Sequence, residues 1–75
     1  MQNTIKFAVT RVVGDDETIL KLFKETQLEE ARAYGKQAAH NYNTGLITLF
    51  KAAFAPDGTR ADDRFRLYDC YRCGK

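Results

Sequence analysis

Along TIKFAVTRVV, residues 4–13, Ile5, Phe7 and Val9 alternate with Lys6, Ala8 and Thr10. A period of two in a run rich in β-branched residues predicts a half-buried strand. Gly14 with Asp15 and Asp16 stops that strand and offers a helix N-cap, with Glu17 beside the positive end of the helix dipole. Ile19, Leu20, Leu22 and Phe23 then form a short apolar stripe, and Thr26-x-x-Glu29 has the form of a capping box. The pattern predicts two helices, near 16–25 and 27–42. In the second, Leu28, Ala31, Gly35, Ala38 and Tyr42 fall three or four apart on one face, whose small residues permit close approach to a sheet. Asn41, Asn43 and Gly45 supply the exit.

LITLFKAAFA, residues 46–55, reads as a second strand in which Leu46, Thr48, Phe50, Ala52 and Phe54 alternate with Ile47, Leu49, Lys51 and Ala53. Pro56-Asp57-Gly58 turns the chain, because Pro fixes φ and Gly accepts φ > 0. A third strand runs from Arg64 to Arg72, with Phe65, Leu67, Asp69 and Tyr71 on one side and Arg64, Arg66, Tyr68, Cys70 and Arg72 on the other.

This order predicts an α+β fold of two layers, β-α-(α)-β-β, with the helical segment packed on one face of a three-stranded, mainly antiparallel sheet. The third strand is expected between the other two, which makes every neighbouring pair antiparallel. The first strand beside the second would instead be parallel, through a right-handed crossover. Either arrangement leaves sheet edges and one open face, where self-association can occur.

Seventy-five residues make one domain, residues 1–75. A domain of this size buries roughly 60–65% of its unfolded surface, so a metal or a partner chain would add useful stability. The net charge of +2 is small but uneven. Asp15, Asp16, Glu17, Glu25, Glu29 and Glu30 outnumber Lys21 and Lys24, whereas Arg60, Arg64, Arg66, Arg72 and Lys75 outnumber Asp62, Asp63 and Asp69. MQNTIKFAVTRVV, broken by Lys6, Thr10 and Arg11, reads as neither a signal peptide nor a membrane span. A cytoplasmic location without a membrane partner is the expectation, with Cys70 and Cys73 reduced unless they bind metal.

The spacing Cys70-x-x-Cys73-Gly74 is that of half a zinc knuckle. Tetrahedral zinc needs four ligands, and one chain could add only His40 and a carboxylate such as Asp69, although two chains could pool four thiolates. No cofactor other than zinc is suggested. A redox pair would sit at a helix N-terminus, and only Gly74 and Lys75 follow Cys73. In an unbroken strand the two cysteines point to opposite faces, which favours packing thiols, with Cys73 against the core.

Serine is absent, His40 is the only histidine, and Asp15-Asp16 and Asp62-Asp63 fit capping and turn roles. The glycines are scattered, so no phosphate loop is formed. The chain therefore reads as a non-enzymatic binding module. Arg64, Arg66, Tyr68 and Arg72 on one strand face could contact phosphates and stack bases. Both alternating sets of LITLFKAAF are largely apolar, so whichever set faces away from the helices is a candidate protein or dimer surface: Ile47 and Leu49, or Phe50 and Phe54.

LITLFKAAFAPDGTR together with the terminal RLYDCYRCGK resembles small uncharacterised proteins encoded on conjugative, mobile elements of Gram-positive bacteria. The resemblance covers the hairpin, about the last third of the chain. It implies an accessory role in the cytoplasm, assigns no activity and carries over no functional residue.

Overall fold

The computed structural model describes residues 3–74, with Asp63 described by its backbone alone; Lys75, counted above in the basic tail, lies outside the described residues. Five elements follow one another: β1 (Thr4–Val13), β2 (Asp16–Lys24), α1 (Leu28–Asn41), β3 (Leu46–Phe54) and β4 (Arg60–Arg72). They form an α+β fold with one helix and a four-stranded antiparallel sheet in the order β2-β1-β3-β4.

The expected first helix is a strand. Gly14 has φ +60° and Asp15 does not have positive φ, so Gly14-Asp15 forms a two-residue hairpin turn with Val13 opposite Asp16. Glycine at the first central position is the requirement of a type II′ turn, whose twist suits paired strands. The helical-looking stripe has a local cause. Val9 faces Lys21 and Thr10 faces Ile19, leaving Leu20 as an extra residue in a β-bulge. Leu20 and Phe23, three apart, therefore both pack with the helix-side core, while Leu22 packs on the opposite face.

That additional strand also reverses the predicted topology. With β2 inserted, the chain enters α1 from the other end of the sheet, so the strand after the helix runs antiparallel to β1 and pairs with it directly. β3, rather than β4, is consequently central, and β4 is an edge.

The second helix matches its expected span to within one residue at each end. Its N-cap is Gln27, not Thr26, and the Gln27 side-chain carbonyl accepts the Lys24 backbone N–H at 3.0 Å in place of the expected capping box. Ala31, Gly35, Ala38 and Ala39 are the buried helix positions. A Cβ on Gly35 would come within 3.0 Å of the Tyr71 ring, so the missing side chain sets how closely α1 approaches β4. Gly45 admits the chain to β3 at φ +101°, where a Cβ would lie 2.8 Å from the Val12 carbonyl oxygen.

The helix covers Phe7, Val9, Phe23, Ile47, Leu49 and Cys73 on one face of the sheet. On the other face Ala8, Phe50, Ala52 and Phe54 form a second cluster with Leu22. Phe54, Ala8 and Thr10 are fully buried although no helix lies over them, which requires the sheet to curl around its uncovered side. Small Ala8 and Ala52 make that concave surface, and the larger side chains rise from it.

Candidate protein-docking face

The uncovered face is built by register. Opposite Ala8, Thr10 and Val12 of β1 stand Phe50, Thr48 and Leu46 of β3, and β4 adds Leu67 beside Phe50 and Phe65 beside Ala52. Residues opposite one another in an antiparallel ladder share a face, so Phe50, Phe65 and Leu67 form one apolar group. Phe50 is buried, whereas Phe65 is 58% and Leu67 54% exposed. Ile19 of β2, opposite Thr10, is also exposed at the far rim of the same face.

A cavity of about 370 Å³ opens here, lined by Glu17, Thr48, Phe50, Arg60, Phe65 and Leu67. Its polar groups are arranged rather than stranded. The buried Thr10 hydroxyl donates to a Glu17 carboxylate oxygen at 3.2 Å and pairs with the Thr48 hydroxyl across the β1–β3 ladder. The Arg60 guanidinium lies over the Phe50 and Phe65 rings, 5.0 and 5.3 Å from their centroids. An acidic group on the β2 side and a basic one on the β4 side thus bracket an apolar centre.

Of the four residues expected on a protein surface, Phe50 and Phe54 do lie on the uncovered face, but both are buried by the curl of the sheet. Ile47 and Leu49 belong to the helix side with no exposed area, so they are core residues and not a surface. Phe65 and Leu67 hold the exposed positions instead. The alternation of the third strand identifies them as a pair, but only the register shows which face they share with Phe50.

The expected basic face is divided. Arg66 stands opposite Lys51 on the helix side, and its guanidinium lies 5.4 Å from the Tyr68 ring, which packs edge-on against Phe7. Arg64 lines a depression with Lys51, Arg66 and Ile5 on that side, beside the acidic Glu25 and Asp62. Between Phe50↔Leu67 and Leu49↔Asp69 the register shifts, so Tyr68 is a bulge residue and the alternation is reset. Arg72, opposite Leu46, is thereby separated from Arg64, Arg66 and Tyr68.

Both cysteines follow that shift, and the ordinary alternation of the chain between them parts them, as their spacing predicts. Cys70 stands opposite Thr48 and is exposed, while Cys73 is buried among the helix-side residues. The two thiols thus turn to opposite sides of the sheet and do not form a knuckle within the chain. The further ligands considered are elsewhere: Asp69 accepts Arg32 Nε–H at 3.1 Å, and His40 is exposed in the last turn of α1. Among the described residues no three His, Cys, Asp or Glu side chains are grouped to hold a metal ion.

Two groups have displaced acidities. Burial raises the Tyr71 phenol above its ordinary value, and the neighbouring Asp69 carboxylate raises it further. Asp57 is held below the usual carboxylate range by the Thr59 hydroxyl and backbone N–H, which donate to it at 2.7 and 3.0 Å in the β3–β4 turn. Neither lies at the apolar group of the uncovered face.

No family model matches the chain, and comparison with curated proteins and with solved structures gives no match. No helix among the described residues is long and apolar enough to cross a membrane.

Proposed function

We propose that this protein is a non-enzymatic binding module of the cytoplasm that associates with a second copy of itself through the uncovered sheet face. The observation that carries this reading is the pair Phe65 and Leu67, more than half exposed, side by side with buried Phe50 on an edge strand. Large apolar side chains clustered on one face favour association, because joining two such faces removes both from water. An edge strand adds free backbone groups to the same border.

Glu17 and Arg60 on opposite rims give the face a layout that can complement its own copy, since a two-fold contact uses one patch twice. A domain this small gains stability from apolar area supplied by the second chain. The accessory role implied by the resemblance of the hairpin fits such a module. Charge placed at Phe65 and Leu67 tests the reading: the subunit count falls while the fold is retained. An unchanged subunit count contradicts it.

A further inference from the structure

The polar side chains of the cavity on the uncovered face have a fixed direction of hydrogen bonding. A threonine hydroxyl has one proton to donate, and a carboxylate has none. Thr10, fully buried, donates its proton to Glu17. Its bond with Thr48 therefore uses the proton of Thr48. Both hydroxyl protons are thus spent between side chains. Thr48 and Glu17, which line the cavity, have only acceptor lone pairs left to offer it.

The other walls differ in kind. Phe50, Phe65 and Leu67 make them apolar, and the two rings already meet edge-on, an arrangement that a further aromatic ring can extend. The Arg60 guanidinium over both rings places a positive charge beside the same space. It opposes an organic cation that Glu17 alone would attract, and leaves an uncharged donor unaffected. The cavity volume of about 370 Å³ lies within the range of small-molecule pockets, roughly 300–1,000 Å³.

We propose that this cavity binds a small uncharged aromatic alcohol, its ring against Phe50 and Phe65 and its hydroxyl donating to Thr48 or Glu17. An apolar body entering the cavity displaces the water that donates to these two acceptors, and unpaired acceptors oppose binding. A ligand that brings its own donor removes that cost. The site therefore selects for a hydroxyl over an ether of the same shape. The proposal does not rest on self-association, although Phe65 and Leu67 serve both; its selectivity resides in the acceptors.

The test is an amide-resolved NMR titration of the full chain with β-naphthol and, separately, with its methyl ether, which keeps the rings and lacks the proton. Expected are shifts at Thr10, Thr48 and Leu67 with a Kd in the millimolar range or below, and a methyl ether that binds about fivefold more weakly or worse. The Thr48→Val/Glu17→Leu variant, its fold checked by circular dichroism, should lose the preference for the alcohol. The proposal is overturned if β-naphthol leaves these amides unmoved at millimolar concentration, if the parent binds the ether as tightly, or if the folded variant keeps the parent's preference. Sedimentation equilibrium reads the subunit count independently of these shifts, so failure here and failure of self-association are distinguishable.

Discussion

The Phe65 ring meets Phe50 edge-on, with centroids 5.6 Å apart and planes at 67°. This contact joins an exposed residue of the edge strand to a buried residue of the central one, and the Arg60 guanidinium covers both rings. The border between core and proposed docking surface therefore falls within a single aromatic pair. Phe50 is buried in the fold, and Phe65 presents its area to solvent.

That division predicts unequal costs for phenylalanine truncation. Phe54→Ala should destabilise by about 3–5 kcal/mol, since it empties a fully buried site. Phe65→Ala should cost about 1 kcal/mol or less in the isolated chain, because over half of its area is already in water. Urea unfolding at low protein concentration measures both, and similar midpoints for the two variants would refute the assignment.

Gly45 is predicted to resist even the smallest side chain. Its φ of +101° is strained for any other residue, and a Cβ would press on the Val12 carbonyl oxygen at 2.8 Å. Gly45→Ala should cost about 2 kcal/mol or more. Gly14→Ala is the control: it shares positive φ but meets open space, and should cost less. Equal losses in thermal unfolding would show that the close approach contributes nothing.

The cysteines should separate chemically. Under native conditions a water-soluble thiol reagent is expected to modify exposed Cys70 promptly and buried Cys73 only after unfolding. Mass spectrometry of the digested protein reads the two sites apart. Equal native rates would contradict the placement of Cys73 beneath the helix.

Tyr71 gives a pH dependence with a definite sign. Its folded phenol is raised by burial and by Asp69, so above the ordinary phenol range, about pH 10, the unfolded chain loses this proton before the folded chain does. The contribution is intact below that range and is lost as pH rises through the folded value. Tyr71→Phe should flatten this part of the decline in urea midpoint between neutral and strongly alkaline pH. A decline of the same steepness in the variant would assign it to other groups.

The period of two identified β1 and β3, and small residues at helical spacing identified the sheet-facing side of α1. β2 was concealed because the bulge at Leu20 sets Leu20 and Phe23 three apart on one face, the spacing of a helix. Losing one strand from the count also inverted the expected direction of β3 relative to β1. The bulge at Tyr68 hid which β4 side chains share a face, separating Arg72 from Arg66. Alternation alone could not place these, because a bulge resets it.

The central claim is that Phe65 and Leu67 make the uncovered face a contact between two copies, and sedimentation equilibrium tests it most directly. The parent protein should sediment as a dimer in the micromolar range, and the Phe65→Asp/Leu67→Asp variant as a monomer with an unchanged circular dichroism spectrum. A parent that remains monomeric throughout that range, or a variant that stays dimeric, would contradict the account.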